Sequence, residues 1–244
     1  MPDSRSHRGP DPHDPRAFDL DTRPALCAAV ADLSWLLDRG YTPTAALKLV
    51  GDRWLLTERQ RRAALRCACP DALLARRLCR RIEPEELAGQ PVALDGFNVL
   101  TTIEAALGGA VVLLGRDGCL RDIAGVHGTY RKVEETVPAV QLVGDVLDEL
   151  DAGACTWLLD SPVSNSGRLR ACLIELASRQ GWDWRVELVM NPDTALASTA
   201  DVVASADSVI LDRCARWLNL ARLAVEARIP GAFLVDLSQD GRGG

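Results

Sequence analysis

The sequence predicts an α/β protein in which a three-layer, mostly parallel sheet domain of Rossmann-like build follows a small all-helical domain. Three observations carry this expectation. Apolar residues recur at helical spacing between Ala25 and Arg81, with no strand pattern among them. From Pro91 onward, short apolar runs alternate with helical stretches, the signature of βα units joined by right-handed crossovers. Acids follow several of those runs directly, at Asp95, Asp160 and Asp207, and in an open parallel sheet the carboxyl ends of strands are where ligands bind.

Residues 1–24 are rich in Pro, Asp, Arg and His without apolar periodicity, and are expected to form a disordered tail. The helical domain is placed at residues 25–83. Leu26, Val30, Leu33, Leu36 and Leu37 share one helical face that ends at Arg39-Gly40, and Thr42-Pro43 opens a second helix. Thr57 begins a third, and a fourth spans Pro70 to Arg81. Residues 84–90 form an acidic, turn-forming linker. The α/β domain covers 91–237, and 238–244 is a flexible tail.

Within that domain, Pro91–Leu100 reads as a strand, Thr101–Leu107 as a helix and Ala110–Leu114 as a second strand ending at the hairpin signal Asp117-Gly118. A helix follows from Glu134 to Leu150. Strands are expected at Cys155–Leu159, Trp184–Val189, Asp201–Ser205 and Ala232–Val235, with a helix reaching Gln180 and another from Ser208 to Arg228.

Composition narrows the chemistry. With 48% hydrophobic residues in 244, the chain can bury a sizeable core. No apolar run approaches bilayer length, so a soluble, cytoplasmic protein that does not enter the membrane is the expectation. The eight cysteines are dispersed and read as reduced thiols, and three histidines are too few for a histidine-rich metal site. Any metal is therefore an oxygen-bound ion, Mg²⁺ or Mn²⁺. Between Arg53 and Arg81 nine arginines face only Glu58 and Asp71, a local net of +7 in a chain whose total is −6. Such a surface suits a phosphate backbone. The alternative, that these arginines pair with acids of the other domain, stays open.

If the strands are parallel, Asp95, Asp160 and Asp207 emerge at one edge of the sheet, where converging carboxylates call for a divalent cation. Glu104 interrupts an apolar helical face and is the natural fourth acid unless it points to solvent; Asp212 and Asp201 are secondary candidates. The run Ser164-Asn165-Ser166-Gly167-Arg168 gathers hydroxyls, an amide, a glycine and an arginine at a helix start, which suits a phosphate, although simple helix capping needs only one of them. The basic, glycine-containing segment around His127, Tyr130, Arg131 and Lys132 is a candidate RNA contact.

These motifs carry a resemblance. Asp95-Gly96-Phe97-Asn98, the acid in the following helix, Asp160, and Ser205-Ala206-Asp207 resemble the PIN-like nuclease superfamily, especially its NYN branch. The chain from Ala25 to about Ile229 also resembles an uncharacterised prokaryotic family in which a helical domain of unknown function precedes a PIN-like domain. Its recurring phrases stand here as Leu-Val-Gly-Asp-Arg at 49–53, Asp-Gly-Phe-Asn-Val-Leu at 95–100, Gly-Thr-Tyr-Arg at 128–131 and Ser-Pro-Val-Ser-Asn-Ser-Gly-Arg at 161–168.

The resemblance implies Mg²⁺- or Mn²⁺-dependent cleavage of RNA, with Asp95, Asp160 and Asp207 as metal ligands and Glu104 as a fourth. It also implies that Asn98 orients Asp95 or touches the scissile phosphate, and that Ser205 supports Asp207. The expectation is a metal-dependent ribonuclease. Its rivals are a non-catalytic RNA- or nucleotide-binding module using Ser164–Arg168, and phosphoryl chemistry on a small molecule by the same acids. Monomer and homodimer both stay open.

Overall fold

The computed structural model describes residues 7–123 and 130–239. Its strands are β1 (Val92–Asp95), β2 (Val112–Leu114), β3 (Leu120–Asp122), β4 (Cys155–Asp160), β5 (Trp184–Val189), β6 (Val202–Ala204), β7 (Trp217–Leu218) and β8 (Leu234–Asp236). Five of them form one wholly parallel sheet in the order β5-β4-β1-β6-β7, with β1 at its centre. The other three form a smaller sheet, β3-β2-β8, in which β2 pairs antiparallel with β3 and parallel with β8.

The helices are α1 (Asp14–Ala17), α2 (Arg23–Asp38), α3 (Pro43–Arg53), α4 (Glu58–Cys67), α5 (Asp71–Arg80), α6 (Gly96–Leu107), α7 (Thr136–Glu149), α8 (Ser166–Gln180), α9 (Pro192–Ser198), α10 (Ser208–Leu211) and α11 (Leu220–Arg228). Successive strand residues point to opposite faces, and the core divides accordingly. Val92, Leu94, Trp157, Leu159 and Ala204 pack with α6, α7, α8 and α11, whereas Ala93, Leu158 and Val203 pack with α9 and α10. The expected α/β architecture, a parallel sheet covered on both faces, is present.

Four local expectations differ. The first strand stops at Asp95 and α6 begins at the next residue. A Cβ on Gly96 would lie 2.5 Å from Leu159 Cδ2 and 3.2 Å from the Leu158 carbonyl, so only glycine lets the chain turn this close to β4. Phe97, Val99 and Leu100 are the buried face of a helix, which an unbroken apolar run cannot distinguish from a strand. The single helix expected over 208–228 is broken into α10, β7 and α11. Trp217 is fully buried there, its indole N–H donating to the Arg77 carbonyl at 2.8 Å. Helix α9 was not foreseen; Asn191 caps it by accepting the Thr194 N–H at 3.0 Å.

The fourth difference concerns the expected disordered tail. Residues 7–24 are packed against the rest of the chain: Asp14 and Phe18 are both 0% exposed, and Asp14 is paired with Arg59. The apolar cluster of the helical region contains Phe18, Leu26 and Leu33, but also Leu113 of β2, Val235 of β8, and Leu237. Strand β2 therefore serves two cores, with Val112 turned to the main domain and Leu113 to the helices.

Candidate functional site

The parallel register brings acids to one edge. Leu94 of β1 lies beside Ala204 of β6, so the residues that follow, Asp95 and Ser205, are level with each other. Asp160 ends β4, which pairs with β1 on its other side. Asp193 stands two residues beyond Asn191, at the same end of β5.

Hydrogen bonds fix the central part of this edge. Ser205 donates its hydroxyl to Asp95 Oδ2 at 2.8 Å and accepts the Asp207 N–H at 3.0 Å. Asp207 Oδ1 accepts the N–H groups of Val209 at 2.7 Å and Ile210 at 3.3 Å, capping α10. Between these two acids, Ala206 gives its N–H to Asn98 Oδ1 and receives the Arg121 guanidinium on its carbonyl, both at 2.8 Å.

The acids also feel one another's charge. Burial pushes the Asp95 carboxyl up to about 7; the Ser205 hydroxyl opposes this, while Asp207 and Asp193 reinforce it. Asp193 is raised too, first by burial and then by Asp207 and Asp160, with Arg213 acting in the other direction. Asp193 is the acid that sequence reasoning missed. Its signal was like that of the other three, an acid past an apolar run, but it stands four residues beyond Val189.

Several candidates lie elsewhere or act differently. Glu104 is not part of this edge. It is 0% exposed and holds Arg8, the Tyr130 hydroxyl, and the Thr136 hydroxyl at 2.7 Å. Its buried environment raises its carboxyl, and the Arg8 charge opposes the rise. Asp212 is bound by Arg77 Nε at 2.7 Å and serves the contact with α5. Asp201 precedes β6 and so sits at the opposite edge of the sheet. Asn98 holds the β6–α10 loop through Ala206, and Ser205 supports both Asp95 and Asp207. Among the described residues, no three His, Cys, Asp or Glu side chains are grouped to hold a metal ion.

A second feature opens near this edge. Tyr130, Arg131, Lys132, Asn165, Arg168 and Leu169 line a cleft of about 370 Å³ at the start of α8. Asn165 has a left-handed backbone, φ 72°, and donates its side-chain amide to the Tyr130 carbonyl at 2.9 Å. Ser164 accepts the Tyr130 N–H at 3.2 Å on its carbonyl, so the Ser164–Arg168 loop and the Tyr130 segment are tied together. Ser164, Gly167 and Arg168 are exposed, whereas Ser166 is buried with its hydroxyl 3.5 Å from the Ser161 carbonyl. Tyr130 is 1% exposed, its ring packed on Phe97, and is closed to stacking with a nucleobase. His127 lies outside the described residues.

The arginine-rich stretch is already engaged. Arg53, Arg59, Arg61, Arg62, Arg66 and Arg81 pair with Asp32, Asp14, Asp52, Glu58, Asp122 and Glu83. Arg77 pairs with Asp117 and Asp212, and Arg76 and Arg80 donate to the Asp212 carbonyl. The acids from the α/β region that these arginines meet are Asp122, Asp117 and Asp212. No helix among the described residues is long and apolar enough to cross a membrane.

Comparison with known proteins agrees with this two-part chain. Residues 25–80 match a family described as Protein of unknown function (DUF434). Over 185 residues the chain is 31% identical to Uncharacterized protein MJ0935 of Methanocaldococcus jannaschii, covering 75% of this chain and 87% of that one. No solved structure matches. Residues 84–223 match the family described as Domain of unknown function (DUF5616), and the chain belongs to that family.

Proposed function

We propose that this chain is a metal-dependent ribonuclease of PIN-like, NYN-like type, hydrolysing RNA phosphodiesters with Mg²⁺ or Mn²⁺ held at the acidic edge. The observation that supports it best is the set Asp95, Asp160, Asp193 and Asp207, in which the Asp95 and Asp193 carboxyls are raised first by burial and then by neighbouring acids of the set. An acid pushed up to about 7 by burial and by neighbouring carboxylates marks a place that lacks positive charge.

The donors suit a hard divalent ion, all of them carboxylate oxygens. With no three of them grouped, a cation here would be held by one or two carboxylates, Asp95 and Asp207 first, and otherwise by water, the usual manner of Mg²⁺. When bound, it supplies an acidified water and offsets charge on the phosphate. The chain's own contribution is positional. Ser205 fixes Asp95 against the Asp207 loop, and the cleft lined by Arg131, Lys132 and Arg168 offers cations to an RNA strand at the start of α8.

The rival reading is a non-catalytic module that holds RNA or a nucleotide in this cleft, whose lining includes none of the acids. A cleavage assay on single-stranded and structured RNA with Mn²⁺, Mg²⁺ or EDTA, run beside Asp95→Asn, separates the two. Cleavage that needs the metal and disappears in the variant supports the nuclease. Binding unchanged by EDTA, with no cleavage under any condition, supports the module.

A further inference from the structure

We infer that helix α5 of the helical region is a positioning element for the acidic edge, with Arg77 as its central residue, holding residues 206–212 so that Ser205 and Asp207 face Asp95. The functional weight of this inference rests on the proposed reading of Asp207 as part of the site.

The segment cannot hold itself. Helix α10 is four residues long and one turn is not self-supporting, so its place must be set from outside. Three arginines on α5 do this. Arg77 donates Nε to Asp212 Oδ1 at 2.7 Å, a terminal nitrogen to the Ser208 carbonyl at 3.3 Å, and the other to Asp117 Oδ2 at 2.6 Å. Arg76 and Arg80 both donate to the Asp212 carbonyl. The Asp212 carbonyl lies at the C-terminal end of this short helix, where cations are favoured.

At the other end of the segment, Arg121 holds the Ala206 carbonyl and binds Asp117 through both terminal nitrogens, at 2.8 and 2.7 Å. Asp117 thus joins Arg77 and Arg121, both buried, into one rigid unit gripping the segment before and after Asp207. The Arg77 contacts come from three separate guanidinium nitrogens; a lysine carries all its donors on one nitrogen and cannot reach the three acceptors in the same way. The charge-rich helical region is therefore tied to the acidic loop through α5, and Arg77 acts inside the protein.

The test is amide hydrogen exchange on the full chain. The N–H groups of Ala206, Asp207 and Val209 bond to Asn98, Ser205 and Asp207 side chains, none of which Arg77 touches. Arg77→Gln leaves Asp117 paired with Arg121, and is expected to speed exchange at these three amides about tenfold. Arg77→Lys should recover part of the protection. Unchanged exchange in a folded Arg77→Gln chain overturns the inference. If that variant does not fold, the pair Arg76→Gln and Arg80→Gln, at positions less buried than Arg77, decides: faster exchange at Ala206 and Asp207 supports it, and no change overturns it. Exchange is read without metal or RNA, so failure of the nuclease reading registers separately, as absence of cleavage in the wild type.

Discussion

Ser205 and Asp95, 110 residues apart in sequence, share a hydrogen bond of 2.8 Å that joins two neighbouring parallel strands at their carboxyl ends. The same hydroxyl accepts the Asp207 N–H, so one small side chain couples two of the four acids. Replacing it with Ala removes both links. Ser205→Ala is expected to leave the fold intact while lowering cleavage by about tenfold to a hundredfold, the scale of a lost positioning contact. A variant as active as wild type would refute this.

The raised Asp95 carboxyl makes stability depend on pH in a stated direction. In the folded chain it titrates at about 7, against 3.8 for an unperturbed aspartate. The folded state thus keeps a proton that the unfolded state releases. Stability from this group is full below about pH 4 and declines as pH rises through 7. Asp95→Asn carries no such proton. It is expected to match wild type near pH 4 and to exceed it at pH 8 by roughly 1–2 kcal/mol, less than the full shift because the site is partly open to solvent. Thermal melts across that range check the sign.

A bound cation should act in the opposite direction to pH. Millimolar Mn²⁺ is expected to raise the Tm of the wild-type chain at pH 8 by several degrees, and to do so less at pH 5, where Asp95 is protonated. Asp95→Asn should lose most of the effect. Glu104→Gln should keep it, because Glu104 lies away from the edge with Arg8, Tyr130 and Thr136.

Glu104 gives a separate prediction about the first described residues. Its carboxyl is fully buried and Arg8 is its ion-pair partner, so Arg8→Ala leaves a buried charge unmatched. The loss should be about 2 kcal/mol at pH 8, with the partial exposure of Arg8 moderating it. Glu104 is itself raised by burial, so the loss should shrink as pH falls and the carboxyl takes up a proton. Melts at pH 4 and pH 8 that show equal losses would contradict it.

For RNA affinity, the cleft should matter more than the arginine-rich helices. Arg168→Ala and Lys132→Ala are each expected to weaken binding and to reduce its salt slope by about one. Arg62→Ala, which removes a surface partner of Glu58, should change neither. Filter binding at a series of salt concentrations measures both quantities.

The legible parts of the molecule were those where a short pattern dictates a local outcome. The first helices were marked by their caps, as at Thr57, which forms a capping box with Gln60. The acids at strand ends were visible because a parallel sheet places them at one edge whatever its strand order. Glu104 misled because a helical acid on an apolar face reads alike whether it serves a cation or an arginine from a distant segment. Arg8 stands 96 residues away, and no periodicity connects them. The arginines from Arg53 to Arg81 left two readings open for a similar reason: their partners include Asp122, Asp117 and Asp212, brought near only by the finished fold. Asp193 went unremarked because it stands four residues past the end of β5, behind a proline that is the first residue of α9.

Leu26 and Leu33, near one end of the chain, and Val235 and Leu237, near the other, belong to one apolar cluster closed across β2. The boundary between the two matched families, between residues 80 and 84, is thus not a seam in the folded protein. A recombination event that separated the stretches would leave each with an uncovered apolar face, although both sheets lie wholly in the second stretch. A change that resizes Leu113 is therefore open to compensation by cluster residues on either side of that boundary.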